Sequence, residues 1–390
     1  MQAPPEDIPY LIYLREGPSH SVADAQPVCE ALSRRFHGEM WTYGSHETDT
    51  VIGRFRLRVL NTDNRNQRLA YLGYMRLVRR RARELAASGR KNVVVISYDP
   101  FKNGLLASMV ARITGGKFIC EVNGSYANPD NFADLTSPLK RRFMLRAMRA
   151  MASYVVRRAD GIKLLFDDAL EGLAKPRVGA TIRRYPNLAY LTRFYSLPEE
   201  KFILLVGFPF YRKGADILCN AFISIADRFP EWRVVLIGHQ LAAAAEKIGL
   251  RHERIQFLAG MKQDDVANWM ARCAILAQPS RSEAMGRVLL EGAAAGKCRV
   301  GSNIEGIPTV ITDGVDGALA RTNDPKDLAR VLEELMNDRA RRDAFGAAAR
   351  RRAETEFSPE HYLANLGELV EAVTKKPANA TAGTPLGSRS

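Results

Sequence analysis

Short apolar runs of strand length alternate along this chain with stretches in which apolar residues recur every three to four positions. YLIYL (10–14), NVVVISY (92–98) and KFICEV (117–122) are apolar and partly β-branched, which predicts buried strands with helices between them. A proline-punctuated passage, RYPNLAYLTRFYSLPEEK (184–201), reads as a linker. The alternation then restarts. Strand-like runs at 201–207, 232–238, 254–260, 274–280 and 297–302 are separated by helical patterns at 215–229, around 264–273 and at 287–295. Further helices are predicted near 325–355 and 359–373, and the small, polar tail over 375–390 reads as disordered. Repeated strand–helix alternation implies parallel sheets covered by helices. The predicted fold is α/β, with two Rossmann-like doubly wound domains facing a cleft, the first over 1–195 and the second over 200–358. In such sheets ligands bind beyond the carboxyl ends of the strands, so chemistry is expected in the loops that follow them.

Two helical segments stand out by their polar faces. Over 65–88, Leu69, Leu72, Met75, Val78, Ala82 and Leu85 form an apolar stripe, with Arg76, Arg79, Arg80 and Arg83 on another face. Over 137–160, Leu139, Phe143, Ala147, Met151 and Val155 repeat likewise beside Arg142, Arg146 and Arg149. Helices of this kind lie on anionic membranes, gaining about 1 kcal/mol per basic residue near the surface. The same stripes equally suit helices that face a core and leave their arginines in solvent. Charge distribution favours the first reading. The net charge of +14 is concentrated in residues 51–193, which carry 28 basic and 10 acidic side chains, while residues 1–50 are acidic and the remainder is nearly balanced. A surface of that sign attracts phosphate-bearing partners. An anionic membrane surface is the expected partner; nucleic acid is not, because neither zinc-finger spacing nor an aromatic RNP-type run occurs.

Composition removes several classes. With 46% hydrophobic and 26% charged residues, a chain of 390 residues is globular rather than disordered and long enough for two or three domains. No apolar run approaches the roughly 18–20 residues that span a bilayer, and MQAPPEDIPY has no basic segment ahead of an apolar one. Five scattered cysteines without a CxxC give neither a disulfide framework nor a zinc site. The expected location is the cytoplasm, peripheral at the inner face of the cell membrane.

The candidate chemistry lies in two passages. In AQPSRSEAMGRVLLEGAAAGK (277–297), Glu283 falls in a loop after a strand, Gly286 at the turn into a helix, and Glu291 in that helix's second turn. The first amides of a helix lack intrahelical partners and its N-terminal dipole favours anions. Gly286 lets a ligand approach the backbone closely. The turn formed by Met285, Gly286 and Arg287 therefore suits a sugar diphosphate. Glu283 would accept hydrogen bonds from sugar hydroxyls, and Glu291 would hold a ribose. In VGFPFYRKGADIL (206–218), Lys213 precedes a helix as a point charge for a diphosphate, and Arg212 either adds a fork of donors or points to solvent. Gly238 and His239 follow a strand and line the same pocket, and Gly17 and His20 lie in the loop after the first strand. No Asp-x-Asp occurs, so no metal is expected at the diphosphate.

The order of KGADIL, VVLIGHQ, FLAGMKQDDV, PSRSEAMGRVLLEGAAAGK and SNIEGIPTVITDGVDGAL resembles the retaining, nucleotide-sugar-dependent glycosyltransferases of family four, strongly over roughly 201–358. The resemblance implies the B-type glycosyltransferase fold, with the last helix, 359–374, crossing back onto the first domain. It implies Lys213 as a diphosphate contact, Glu283 on the donor sugar with backbone amides around Met285, Gly286 and Arg287, and Glu291 on the ribose. Three positions depart from the family pattern: Phe208 stands where an arginine often follows the strand-ending glycine, Asn123 where a histidine is common, and Tyr190 where an aspartate is common. Asn123 can hydrogen-bond a donor-sugar hydroxyl but cannot serve as a base.

The implied activity is metal-independent, retaining transfer of a sugar from a UDP- or GDP-linked donor, with no cofactor. The acceptor would be a glycan or lipid-linked molecule of cell-surface polysaccharide or glycolipid synthesis. A nucleotide-sugar epimerase of the same fold and a non-catalytic sugar-nucleotide or membrane-binding protein are the alternatives.

Overall fold

The computed structural model describes residues 8–15, 22–44, 47–61, 67–132, 135, 137–189 and 191–375. Gly17, His20, Tyr190 and the tail from 376 lie outside them. The strands of the first half are β1 (Tyr10–Leu14), β2 (His37–Gly44), β3 (Thr48–Ile52), β4 (Phe55–Asn61), β5 (Val93–Ser97), β6 (Lys117–Val122), β7 (Gly161–Leu164) and β8 (Thr181–Arg184). They form one sheet in the order β3-β4-β2-β1-β5-β6-β7-β8, parallel except for β3 against β4. Its helices are α1 (Val22–Arg35), α2 (Gln67–Ala87), α3 (Lys102–Thr114) and α4 (Pro138–Val156).

The second sheet takes β9 (Glu200–Val206), β10 (Arg233–Ile237), β11 (Ile255–Leu258), β12 (Cys273–Gln278), β13 (Cys298–Ser302) and β14 (Ala318–Ala320) in the parallel order β11-β10-β9-β12-β13-β14. With it go α5 (Ala215–Ile223), α6 (Leu241–Lys247), α7 (Gln263–Arg272), α8 (Arg287–Ala294), α9 (Ile307–Val310), α10 (Pro325–Asn337) and α11 (Arg339–Glu356). Finally α12 (Pro359–Thr374) returns to the first sheet, where Tyr362, Leu366, Leu369 and Val373 share a core with Leu11, Val94 and Ile119.

Several elements differ from the sequence expectation, each for a physical reason. The region between the first two predicted strands contains β2, β3 and β4 as well as helices. In β4, buried Phe55, Leu57 and Val59 alternate with Arg56 and Arg58, a period of two that marks a strand with one wet face. The helical stretch expected near 325–355 is divided at Asp338, which is extended and caps α11 by accepting the Arg341 N–H at 2.8 Å.

The two basic helices behave differently. α2 buries Tyr74, Val78, Ala82 and Leu85, so it faces the core, while Leu72 is exposed and Tyr74 takes its place in the stripe. α4 buries only Ala152, Val155 and Val156. The first half of its expected apolar stripe lies in solvent, with Leu139 81% and Phe143 73% exposed, while Val155 at the other end is buried.

Each sheet has one place where the chain reverses its direction of travel across the strands: between β1 and β5 in the first, and between β9 and β12 in the second. Loops diverge at such a point and leave a crevice. The carboxyl ends of the two sheets face each other. Asn128 of the first domain donates to Glu305 of the second, Ser282 donates to Asn131 at 2.9 Å, and a methyl group on Gly124 would lie 3.7 Å from Ala284.

Candidate active site

The loop after β9 and the loop after β12 meet at the second sheet's crossover point. Gly214 has φ +69° and sits so close to the end of β12 that a Cβ would lie 1.9 Å from the Pro279 carbonyl oxygen. Only glycine fits there. Arg281 ties the two loops from the other side. Its N–H donates to the Arg212 carbonyl at 2.9 Å, and its guanidinium grips Tyr211 O at 2.6 Å and the Asp216 carboxylate in a fork at 2.8 and 2.7 Å. Lys213 Nζ is thereby delivered onto Glu283 Oε2, an ion pair with 14% and 12% of the two side chains exposed. Ser280 Oγ also points to Glu283 Oε2, at 3.4 Å.

Gly286 caps α8 with φ +70°. A Cβ there would press on Leu289 rather than fill the crevice, so its backbone conformation is what requires glycine. The helix presents its unpartnered first amides beside Glu283. Met285 is buried against the linker, its sulfur accepting the Asn187 N–H at 3.4 Å, so only its backbone is available to a ligand. Glu291 is 6% exposed, and the exposed Arg287 pairs with it at 3.3 Å. Burial pushes the Glu291 carboxyl above its ordinary range, against the pull of Arg287 and Arg193. His239 is exposed, stands edge-on to Phe208 with ring centroids 6.4 Å apart, and packs over Gly260, forming the wall beyond Gly238. Arg212 turns back to its own loop, with Nη2 3.5 Å from the Phe208 carbonyl.

Asn123 is tied into the first domain. Its amide nitrogen donates to Tyr98 O at 2.6 Å and Glu121 at 3.2 Å, and its oxygen accepts from Lys163 at 3.0 Å. Both N–H groups are engaged in the wall of the first domain, which leaves no free donor for a sugar hydroxyl. Lys163 and Glu121 are themselves fully buried and 3.8 Å apart.

Sequence reasoning passed over Glu305. Its carboxylate accepts the Glu283 N–H at 2.7 Å and the Ser282 hydroxyl at 3.0 Å, fixing the loop that carries Glu283. Burial pushes its carboxyl up despite these bonds and the one from Asn128. Its place in a loop directly after a strand was the available signal. Behind it opens an interdomain cavity of about 1140 Å³ lined by Asn128, Tyr185, Asn303, Glu305, Arg352 and His361 among others. Lys213, Glu283 and Glu291 do not line this cavity; Glu305, which lines it, is bonded to the Glu283 backbone.

Residues 193–352 match the family described as glycosyl transferases group 1. An uncharacterized glycosyltransferase of Methanocaldococcus jannaschii is 33% identical over 152 residues, 39% of this chain and 43% of the relative, so the chain spans under half the length of that curated protein. Among solved structures, a sucrose-phosphate synthase from Thermosynechococcus elongatus superposes with a TM-score of 0.73 at 16% identity, covering 92% of this chain and 98% of the other. The Anabaena protein HepE in complex with UDP-glucose gives 0.69 at 16% identity, covering 93% and 99%. These likenesses place the chain in the two-domain B-type architecture.

Proposed function

We propose that this chain, whose second domain belongs to the group 1 glycosyl transferases, moves a sugar from a nucleotide-diphosphate donor to a glycan or lipid-linked acceptor with retention of configuration. The observation that carries this reading is the Lys213–Glu283 ion pair at the start of α8, on the second sheet's crossover point. A donor diphosphate entering there competes for Lys213 and releases the Glu283 carboxylate to the sugar hydroxyls. Bond cleavage puts negative charge on the leaving diphosphate. Lys213 and the first amides of α8 stabilise it, each such preorganised donor being worth roughly 3–4 kcal/mol. A leaving phosphate oxygen takes the acceptor's proton on the same face, so the reaction needs no basic side chain at Asn123. Glu291 holds the ribose, and the base, uracil or guanine, lies towards His239.

The acceptor side is supported by α4. An exposed helix bearing Leu139, Phe143 and Met144 beside Arg142 and Arg146 suits an anionic membrane on which a lipid-linked acceptor is presented. No helix of the described residues is long and apolar enough to cross a membrane.

A thermal-shift screen of sugar nucleotides tests the donor, because a ligand that binds only the folded state raises its stability. UDP- or GDP-sugars should raise the melting temperature of the native protein and not of Glu283→Ala joined with Lys213→Ala. No shift with any sugar nucleotide would defeat the reading.

A further inference from the structure

We propose that Glu305 is a positioning residue through which the first domain sets the loop of Glu283, so that this loop is fixed only while the two domains are in contact. The inference rests on the reading above that Glu283 serves the donor sugar.

Both carboxylate oxygens of Glu305 are committed, one to each domain. Oε1 accepts from Asn128 Nδ2 of the first domain at 2.5 Å, and Oε2 accepts the Glu283 N–H at 2.7 Å. The Ser282 hydroxyl lies 3.0 Å from the same Oε2 and 2.9 Å from Asn131 Oδ1, so its single proton is shared between the domains. Asn128, Glu283 and Ser282 all meet the carboxylate as donors, which suits a group that only accepts. A glutamine there would turn its own amide nitrogen towards either Asn128 or the Glu283 N–H and lose one of the two bonds. Asn128 cannot flip to suit it, because its Oδ1 already accepts the Asp130 N–H at 2.8 Å.

The first domain holds its two asparagines in place for this contact. Asn131 Nδ2 donates to Ser125 O at 2.6 Å, which leaves its oxygen facing Ser282. Arg141 of α4 donates to Pro129 O and to the Asp130 carboxylate, both at 3.1 Å, and so ties their loop to that helix. On the other side, a Cβ on Gly306 would lie 1.5 Å from the Ala284 carbonyl oxygen, so the loop of Glu305 lies directly against the loop of Glu283. Glu305 keeps its place against its backbone preference. Its φ of +48° is left-handed, a region that a glutamate seldom enters. Such a conformation persists where the surroundings over-determine it, and it gathers at ligand clamps and switch regions. When the domains part, Asn128 and Asn131 leave with the first, and of these partners only the Glu283 N–H and Ser282 remain to hold Glu305.

Hydrogen–deuterium exchange of the full chain reads the loop directly and needs no substrate. Asn128→Ala, which removes the first-domain donor, should speed exchange of the amides over 282–286 about fivefold or more, while those of β9 and α5 keep their native rates. Glu305→Gln should do the same, and joining the two substitutions should add little, because both cut one link. Unchanged exchange in Asn128→Ala, a rise spread evenly over the chain, or full additivity of the pair would each overturn the proposal. Should Glu305→Gln not fold, Asn128→Ala decides alone. Release of UDP from UDP-glucose, or of GDP from GDP-glucose, gives a second readout. Asn128→Ala should lower kcat about tenfold with KM little changed, since it disturbs Glu283 and not donor binding, and an unaltered kcat would count against the positioning role. A native protein that releases neither nucleotide would defeat the donor reading, and the exchange rates would still judge the loop.

Discussion

Lys213 and Glu283 stand 70 residues apart in the chain, and the ammonium of one touches the carboxylate of the other beside the first turn of α8. Neither side chain is free to wander, because Gly214 and Arg281 lock the loops that carry them. Lys213→Ala should lower kcat by about 10²–10³-fold, the loss typical of one preorganised donor to a developing oxyanion. Glu283→Ala should fall as far, and Glu283→Gln, which keeps one acceptor for a sugar hydroxyl, should retain more. Steady-state kinetics with excess donor checks all three, and normal turnover in Glu283→Ala would remove the assignment.

In the proposed reading Glu291 binds rather than reacts. Its replacement by Ala should weaken UDP or GDP binding about tenfold or more while kcat with saturating donor changes little, the mark of lost uniform binding. Because burial raises its carboxyl, nucleotide affinity should decline with acidity at a pH above the ordinary glutamate range, and this decline should vanish in Glu291→Gln. Calorimetry across pH 4 to 7 on the order of one-unit steps resolves it.

Glu39 reports on acid stability. Burial opposes its ionisation, but hydrogen bonds from Arg81 and Trp41 and the charge of Arg58 outweigh that and hold it at about 2, against 4.5 unperturbed. The unfolded chain therefore binds this proton at higher pH than the folded one. Stability from Glu39 is complete above pH 4.5 and is lost as pH falls towards 2, a change of roughly 3 kcal/mol. Urea unfolding of native protein and Glu39→Gln should show a steeper acid dependence in the native chain; equal slopes would contradict this.

The buried pair of Lys163 and Glu121 fastens both crossings between the domains. Lys163 reaches Asn187 of the linker, and Glu121 accepts from Tyr362 of α12. Lys163→Met leaves a buried carboxylate without its cation and should cost about 3–5 kcal/mol. Adding Glu121→Gln should recover a large part of that loss. Chemical denaturation of the two single variants and the double variant gives the coupling, and strict additivity would show that the pair does not act as one unit.

Membrane attachment should depend on α4 and not α2. Binding to anionic vesicles should weaken with salt and drop severalfold in Phe143→Glu, whose ring is exposed, while Arg79→Gln on α2 changes it little. Vesicle sedimentation measures this, and equal binding to neutral vesicles would refute the electrostatic part.

Much of the second domain was legible because its candidate residues travel in contiguous passages. Glu283, Gly286 and Glu291 share one loop and helix, and Lys213-Gly214 opens another, so the strand-ending and helix-opening residues around them put them in loops after strands. Arg281 and Asp216 lay within the same passages, but their pairing spans 65 residues and no local pattern announces it. The surroundings of Asn123 were illegible for a related reason. Its three partners, Tyr98 after β5, Glu121 of β6 and Lys163 of β7, come from distant segments and meet only in the fold.

By itself the sequence determined the alternation of strands and helices, the restart after the linker, the concentration of positive charge in the first half, and the loops in which chemistry would fall. Periodicity and turn residues are local, and local forces suffice to set them. Tertiary structure alone decided that α2 packs its stripe on the core while α4 leaves Leu139 and Phe143 in solvent, and that Lys213 meets Glu283. Those outcomes depend on which distant segments pack together, and burial and pairing exist only once they have.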